Sequence, residues 1–133
     1  MTHKERPLLV YFSASGQTER LINKINPSNS FSTQRIKTGT EKIDKEYILI
    51  TPTYFKGQIP KQVQNLITNN HPPKEVIGTG NRQWGQNFCG AGKKIASMFG
   101  IRLIEKVEQS GHFKEVDNIL EYFTRHYHIE KAG

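Results

Sequence analysis

Residues 8–25 read LLVYFSASGQTERLINKI and contain the change of pattern that decides the fold. An uninterrupted apolar run from Leu8 to Phe12 is typical of a strand buried on both faces. From Gln17 onward, leucine and isoleucine recur at helical spacing until Asn26 and Pro27 end the pattern. The stretch therefore predicts a strand joined to a helix by small and polar residues. The joining residues are Ser13, Ala14, Ser15, Gly16, Gln17 and Thr18.

The joint between that strand and that helix has two interpretations. Serine and threonine often cap helices for purely structural reasons. Hydroxyl groups, a glycine that allows close backbone approach and the unpaired N–H groups of a helix start also suit a phosphate group. No lysine or arginine lies in the joint, so a phosphate would be held by neutral donors and the helix dipole. For this loop alone, both interpretations stay open.

Strands and helices continue to alternate along the rest of the chain. Further strands are predicted at Phe31 to Ile36, Tyr47 to Ile50, Glu75 to Thr79 and Ile101 to Val107. Further helices are predicted from Ile59 through Ile67, from Gly90 to Phe99 and from about Lys114 to His126. Only about ten residues separate the second and third strands, so the crossover helix there is short or absent. We predict an α/β fold, a doubly wound five-stranded parallel sheet with strand order 2-1-3-4-5.

Length and composition indicate the number of domains and the cellular location. The 133 residues fit a single domain over 1–133, with a loose tail from about residue 128. The single cysteine, Cys89, excludes an internal disulfide and fits a reducing compartment. No apolar run approaches the roughly 18 residues of a membrane span, and the charged start does not resemble a secretory signal. A cytoplasmic location is expected.

The charge of the chain is strongly positive. Nineteen Lys and Arg against twelve Asp and Glu give a formal net charge of +7. Such a charge permits a nucleic acid, an anionic cofactor or an acidic protein as a partner. The basic residues are scattered and form no dense run, so charge alone does not choose among these classes.

Three unusual loops follow strands 1, 3 and 4, whose carboxyl ends share one edge of the predicted sheet. Ligands of doubly wound folds bind at that edge. The second loop, TPTYFKGQIP from Thr51, carries the aromatic residues Tyr54 and Phe55, which loops use for packing more often than for function. The third loop, from Gly80 to Cys89, carries the only tryptophan, Trp84, among glycines and amides. Together the loops favour a flat ligand that bears a phosphate.

Other ligand motifs fail on spacing. Gly90 to Lys94 reads GAGKK, but the P-loop pattern requires a glycine at position 87 and a serine or threonine at position 94. No third glycine completes a dinucleotide fingerprint after Gly78 and Gly80. His126 and His128 are a weak candidate for a metal site, and no metal site is predicted. A small packed thiol is the favoured interpretation of Cys89.

The order and spacing of these segments resemble the flavodoxin-like superfamily and, within it, the NrdI family. That family comprises small FMN proteins associated with class Ib ribonucleotide reductase. The resemblance rests on VYFSASGQTERLI, ITPTYFKGQIPKQV and VIGTGNRQWGQNFCGAGKKIA, and it extends over about residues 8 to 125. The last segment is the most specific, because general flavodoxins do not share its Gly-Asn-Arg-x-Trp-Gly-x-Asn-Phe character.

The resemblance implies a cofactor, FMN, bound without a covalent bond. Its phosphate would be held by the first loop, Ser13, Ala14, Ser15, Gly16, Gln17 and Thr18. Its ring would be enclosed by Thr51, Pro52, Thr53, Tyr54, Phe55, Lys56 and Gly57 from the second loop, and by Gly80, Asn81, Trp84, Gly85, Asn87, Phe88 and Cys89 from the third. Tyr54 or Phe55 and Trp84 are the stacking candidates. The flavin would carry out the electron chemistry, so no catalytic side chain is expected.

The resemblance also implies a role and partners. The family supplies an oxidant derived from O2, with superoxide the species expected, to the manganese-containing small subunit of the reductase, which then forms its tyrosyl radical. The partners implied are that small subunit, O2 and an unidentified reductant, and neither nucleic acid nor a membrane is expected. The alternatives are a general flavodoxin-type electron carrier and a flavin-free basic module that binds nucleic acid or phosphate. Bound FMN would make the protein yellow, whereas the flavin-free module would be colourless.

Overall fold

The computed structural model describes residues 6–54 and 57–129. The strands are β1 (Leu8–Tyr11), β2 (Thr33–Arg35), β3 (Tyr47–Thr51), β4 (Glu75–Gly80) and β5 (Arg102–Glu108). The helices are α1 (Gln17–Ile25), α2 (Lys61–Asn69), α3 (Gly90–Phe99) and α4 (Phe113–Tyr127), with a short 3₁₀ segment at Arg82–Asn87.

The strands form one parallel sheet in the order β2-β1-β3-β4-β5. This order confirms the predicted α/β fold. All carboxyl ends lie at one edge of the sheet, which we call the upper edge. The loops after β1, β3 and β4 therefore start side by side.

The core has two layers because side chains of β1 alternate between the two faces of the sheet. Leu9 and Tyr11 pack on the face covered by α1 and α4. Val10 and Phe12 pack on the face covered by α2 and α3. The predicted burial of this strand on both faces is confirmed, since Leu9 and Val10 are both 0% exposed.

The crossover between β2 and β3 contains no helix within the described residues 36–46, as the short spacing predicted. The Glu41 carboxylate orders it by accepting N–H bonds from Lys37, Thr38 and Gly39 at 2.7, 3.2 and 2.9 Å. Partial burial acts to raise the pKa of Glu41, but these N–H donors outweigh it and hold the pKa below its usual value. A Cβ at Gly39 would lie 2.4 Å from the Cβ of Asn65, so the crossover packs directly on α2.

The end of the chain is packed further than the sequence indicates. The loose tail was expected from about residue 128, but Ile129 is only 6% exposed and belongs to the core beneath α1 and α4. Residues 130–133 lie outside the described part. Isoleucine contributes to stability when it is removed from water, and this burial holds the chain one residue beyond the helix cap at His128.

Candidate functional site

The first loop is held in shape by the buried hydroxyl of Ser13. Its Oγ accepts the N–H of Gly16 at 3.1 Å and the N–H of Glu19 at 3.3 Å. Gly16 has a φ of +90°, a left-handed conformation that favours glycine, and α1 begins at the next residue. Gly16 is the N-cap residue of α1, and the Ser13 hydroxyl pairs one N–H of its first turn, at Glu19. This structural role is one of the two interpretations left open by the sequence.

The same loop also leaves donors free for a ligand. Among the described residues, no protein acceptor is found for the N–H groups of Gln17 and Thr18 in the first turn of α1. Ser15 is exposed beside them, and a Cβ at Gly16 would meet nothing within 4 Å. Free N–H groups at the positive end of a helix, with open space in front of them, suit an anion.

Arg35, at the end of β2, supports this loop from outside. Its Nη2 donates to the carbonyl oxygen of Ser13 at 2.9 Å, and its Nη1 lies 3.3 Å from Glu19 Oε1. Arg35 is not among the residues that line the cavity described below. The Arg35 guanidinium thus contacts the backbone of a loop that lies 22 positions earlier in the chain. Sequence spacing does not indicate such a contact.

The second loop turns back on itself at Tyr54. The N–H of Tyr54 donates to Gln58 O at 2.9 Å, and the N–H groups of Gly57 and Gln58 both donate to Tyr54 O at 3.0 Å. Thr53 Oγ1 accepts the N–H of Ala91 at 3.2 Å and so attaches the loop to the start of α3. The predicted site residues Phe55 and Lys56 lie outside the described residues.

A glycine contact fixes where this turn lies. Gly57 has a φ of +79°, and a Cβ at Gly90 would come within 2.6 Å of its Cα. Real side chains do not reach that distance, so glycine at position 90 is required for the turn to approach α3. The sequence GAGKK, which resembles a nucleotide loop, thus includes a glycine that serves backbone packing.

The third loop forms the 3₁₀ segment at Arg82–Asn87, which the sequence analysis described only as a polar, glycine-rich loop. Asn81 Oδ1 accepts the N–H of Gln83 at 2.8 Å and starts the segment. Gly85 breaks it with a φ of +58° and a ψ of −125°. Trp84, between these two points, is 39% exposed.

Ion pairs connect this segment to β5 and α4. The Arg82 guanidinium donates from Nη2 to Glu115 Oε2 at 2.8 Å, and its Nε lies 3.4 Å from Glu108 Oε1. The guanidinium carbon also lies 4.7 Å from the ring centroid of Phe88. The hydrogen bond from His112, together with the N–H and charge of Arg82, holds the pKa of Glu108 below its usual value. These contacts join residues that are far apart in sequence.

The three loops enclose a cavity of about 330 Å³ at the upper edge. Ligand sites typically start near this size. Its lining is Ala14, Ser15, Gln17 and Thr18 from the first loop, Pro52, Thr53 and Tyr54 from the second, Thr79, Gly80, Asn81 and Trp84 from β4 and the third, and Gln109 after β5. All of the lining side chains described are uncharged.

Two of the lining residues were not predicted. Thr79 ends the predicted fourth strand and was counted with the strand, although the rule about carboxyl ends points directly at it. Gln109 follows β5, and its N–H donates to Gly80 O at 2.8 Å. The rule for this strand order points to the carboxyl ends of strands 1, 3 and 4, so it does not indicate the loop after β5.

Several predicted site residues lie outside the cavity lining. Ser13 is buried within the first loop, Thr51 is buried at the end of β3, and Gly16 lies at the start of α1. Gly57 and Asn87 face each other, since a Cβ at Gly57 would lie 3.3 Å from Asn87 Oδ1. The remaining residues are placed around the third loop, and they are Gly85, Phe88 and Cys89.

Cys89 lies behind the cavity wall. Its side chain is 0% exposed, and its thiol donates to Gly78 O at 3.3 Å. Burial raises the pKa of this thiol to about 12, so it is protonated at neutral pH. The contacts support the small packed thiol that the residue pattern favoured.

The cavity combines two kinds of chemistry. Hydroxyl and amide groups with free helix N–H groups suit a phosphate, as described for the first loop. Tyr54 and Trp84 both line the cavity and offer aromatic surface to a flat ligand. Tyr54 is oriented in turn by Phe12, whose ring lies edge-on at a centroid distance of 6.4 Å.

Known proteins were compared with the chain. The family model described as "NrdI Flavodoxin like" matches residues 9–121. The chain belongs to the NrdI flavodoxin-like family. A relative named "Protein NrdI" from Macrococcus caseolyticus (strain JCSC5402) is 32% identical over 126 residues, which cover 89% of this chain and 95% of the relative. The resemblance found in the sequence is thereby confirmed at the level of the family.

Solved structures confirm the fold of this NrdI family member. A Fusobacterium nucleatum flavodoxin bound to flavin mononucleotide matches with a TM-score of 0.63 and 19% identity, covering 93% of this chain and 98% of that chain. Oxidised flavodoxin 1 from Bacillus cereus matches with a TM-score of 0.64 and 16% identity, covering 90% and 97%.

No helix at 6–54 or 57–129 combines the length and apolar character needed to cross a membrane. In the same part of the chain, no three histidine, cysteine or acidic side chains are grouped so that they could hold a metal ion.

Proposed function

We propose that this NrdI family member binds FMN non-covalently in the cavity at the upper edge and serves class Ib ribonucleotide reductase. In this role it delivers an oxidant derived from O2, with superoxide the species expected, to the manganese-containing small subunit. The oxidant allows that subunit to form its tyrosyl radical. The observation that carries the proposal is the cavity itself, in which unpaired helix N–H groups and aromatic side chains occur together in a member of this family.

The lining residues fit the chemical parts of FMN. Ser15, Thr18 and the N–H groups of Gln17 and Thr18 would hold the phosphate. The side chains of Tyr54 and Trp84 would cover the ring, and polar groups of the third loop would surround its rim. The bound phosphate needs no lysine or arginine, because the dipole of α1 and several neutral donors act together.

FMN would supply one- and two-electron transfer when bound. The chain's own residues position it, and no acid, base or nucleophile of the cavity takes part in bond breaking. The hydrogen bonds to Ser13 Oγ set the direction of the start of α1, and the contact between Gly57 and Gly90 sets the position of the second loop. The partial exposure of Trp84 leaves this part of the rim open to solvent.

Calorimetry on refolded, ligand-free protein tests the cofactor. Addition of FMN should give a one-site isotherm and a yellow complex. The variant Ser15→Ala removes one hydroxyl donor to a charged phosphate and should bind FMN roughly tenfold more weakly. Ser97→Ala, on the exposed side of α3, is the matched control and should bind as the parent does. A parent chain that takes up no FMN would reject the proposal.

A radical assay tests the role separately. The metal-loaded dimanganese small subunit, the chemically reduced flavoprotein and O2 should together produce a tyrosyl radical visible by electron paramagnetic resonance. Omitting the flavoprotein, or adding superoxide dismutase as a scavenger, should lower the yield. An equal radical yield without the flavoprotein would remove the activating role and leave FMN binding intact.

An electron-carrier function is the second candidate, because the solved structures that match the fold include flavodoxins. It predicts FMN binding without radical formation in the assay above. The flavin-free basic module has only the net charge of +7 in its favour, and it predicts a colourless protein whose nucleic-acid binding falls steeply with salt.

A further inference from the structure

The segment that carries Trp84 has little packing of its own. None of the six residues of Arg82–Asn87, all of them described, is buried. Gly85 interrupts the segment with a positive φ, and most of its hydrogen bonds are local. A segment with few buried contacts opens easily unless another part of the molecule holds it. The position of Trp84 at the cavity therefore requires an attachment from outside the segment.

Arg82 provides that attachment to the sheet and to α4, and on the other side Lys93 Nζ of α3 donates to Gln86 O at 3.0 Å. The Arg82 guanidinium contacts two carboxylates, Glu115 at 2.8 Å and Glu108 at 3.4 Å, and the Arg82 backbone N–H donates to Glu108 Oε2 at 3.3 Å. An arginine that meets two carboxylates is held in orientation as well as in place. We call Arg82, Glu108 and Glu115 the Arg82 clamp.

Glu115 distinguishes the clamp from an ordinary surface ion pair. Exposed pairs contribute little, but the Glu115 side chain is only 7% exposed. Its carboxylate also accepts the N–H of Glu108 at 3.1 Å and the N–H of His112 at 3.0 Å. These backbone hydrogen bonds hold the Glu115 carboxylate in place independently of Arg82, so the guanidinium binds an acceptor of fixed orientation.

The clamp acts on both ends of the segment. Arg82 is its first residue, and the guanidinium lies over the ring of Phe88, the residue that follows its last one. Phe88 is 8% exposed and belongs to the buried part of the molecule. Trp84 lies between the two held points and lines the cavity.

We propose that Arg82 is a positioning residue that holds the Trp84 wall of the cavity through Glu108, Glu115 and Phe88. It does not line the cavity itself. This inference rests on the proposed function, because FMN is the ligand that would pack against a fixed Trp84. Without the clamp, the segment would sample open positions, and bound FMN would lose the packing of the indole.

The fluorescence of Trp84 tests the clamp without any ligand. Trp84 is the only tryptophan, so acrylamide quenching of the apoprotein reports on this segment alone. Since Trp84 is 39% exposed, its release should raise the quenching constant about twofold and lower the anisotropy in Arg82→Gln. Arg125→Gln, in the last turn of α4, makes the same charge change far from the segment and should leave both values unchanged.

Two further measurements distinguish positioning from a general loss of stability. Arg82→Lys keeps the positive charge but loses the planar guanidinium that can meet two carboxylates. Its quenching constant and anisotropy should lie between those of the parent and of Arg82→Gln. FMN should bind Arg82→Gln about tenfold more weakly, because an aromatic contact is lost. Circular dichroism confirms that each variant is folded, and if Arg82→Gln is not, Arg82→Lys and Glu108→Gln take its place.

The outcomes separate the two proposals. Unchanged quenching and anisotropy in folded Arg82 variants would overturn the clamp, whatever the FMN affinity of the parent. Altered quenching with a parent chain that binds no FMN would keep the clamp and reject the cofactor. Altered quenching with unchanged FMN affinity would also overturn the inference, because the ligand would not depend on the wall.

Discussion

Glu75 and Glu115 are both buried carboxylates that connect α4 to the sheet, at opposite edges. Glu75 begins β4 at the lower edge and accepts the hydroxyl of Tyr127 at 2.5 Å and that of Tyr122. Glu115 lies in the first turn of α4 at the upper edge and accepts from Arg82 and from two backbone N–H groups. One cluster uses neutral donors from the helix, and the other uses a cation from a loop.

The two clusters differ in the elements that they join, and this difference gives them different roles. The tyrosines come from α4 itself, so the Glu75 cluster fastens two rigid elements together and contributes to stability alone. Arg82 comes from the segment that carries Trp84, so the Glu115 cluster fastens a weakly packed wall of the cavity. The predictions below use this contrast, with stability expected to respond at the lower edge and ligand binding at the upper edge.

The largest effect is expected from Glu75→Ala. The substitution leaves two partly buried tyrosine hydroxyls without their acceptor and should lower the free energy of unfolding by about 3 kcal/mol. Urea denaturation of the apoprotein measures it. Glu46→Ala, at an exposed neighbour whose pair with Lys74 is 3.7 Å long, is the control and should change it by less than about 0.5 kcal/mol. An FMN affinity that falls with the stability would contradict the separation of the two edges.

A smaller loss of stability and a change in binding are expected from Glu115→Gln. The amide oxygen still accepts a backbone N–H, but the charge that attracts Arg82 is gone. The free energy of unfolding should fall by about 1–2 kcal/mol, and FMN should bind roughly tenfold more weakly. Urea denaturation and calorimetry give the two numbers. If only the first changes, the upper cluster is structural in the same way as the lower one.

Alkaline pH should weaken the lower edge selectively. Burial, followed by the hydrogen bond to Glu75, raises the pKa of Tyr122 to about 12 and that of Tyr127 further. Unfolded tyrosine loses its proton near pH 10, so the unfolded state binds fewer protons above that pH and folding becomes less favourable. The contribution of these two tyrosines to the free energy of unfolding is complete below pH 10, and it is lost as the pH rises towards 12.

The urea midpoint measured between pH 8 and 11 follows this loss. The double variant Tyr122→Phe and Tyr127→Phe should show a flatter profile. The remaining slope comes from Tyr47, Cys89 and Tyr11, whose pKa values burial also raises. A profile as steep in the double variant as in the parent would count against the assignment to Glu75.

The smallest effect is expected from Arg102→Gln. The Arg102 guanidinium lies 5.6 Å from the ring centroid of Tyr122, much as that of Arg82 lies over Phe88. Loss of an exposed cation–π contact should lower the free energy of unfolding by about 0.5 kcal/mol and leave FMN affinity and Trp84 quenching unchanged. The same substitution at position 82 should alter both. Equal effects at the two positions would mean that location at the upper edge is unimportant.

The fold could be predicted because its main signals are local. An uninterrupted apolar strand, helical periodicity and short spacing between β2 and β3 each lie within a few residues, and all were confirmed. The β2 strand itself is shorter than predicted, since Phe31 is buried outside it and Ile36, just beyond its end, pairs with β1 only through its N–H, which donates to Tyr11 O at 2.7 Å. Burial and strand pairing give the same alternating pattern over so short a stretch, so the sequence does not separate them.

The cavity lining was predicted in part, and the supports of the cavity were not predicted. The rule about carboxyl ends places the three loops together, and most of the lining follows from it. Arg82 and Glu115 are 33 positions apart, and Arg35 reaches back 22 positions to Ser13. Such pairs depend on the register of the sheet, which no local pattern records. The 3₁₀ segment was missed because so short a run has no periodicity to detect.

The burial of Cys89 makes its thiol resistant to oxidation. Cysteine is oxidised chiefly as the thiolate, and only where an oxidant can reach the sulfur atom. Burial raises the pKa of this thiol to about 12, so it stays protonated at neutral pH, and its side chain is 0% exposed. Its place between β4 and α3 thus shields the single cysteine, and exposure to oxidants need not inactivate the protein through this residue.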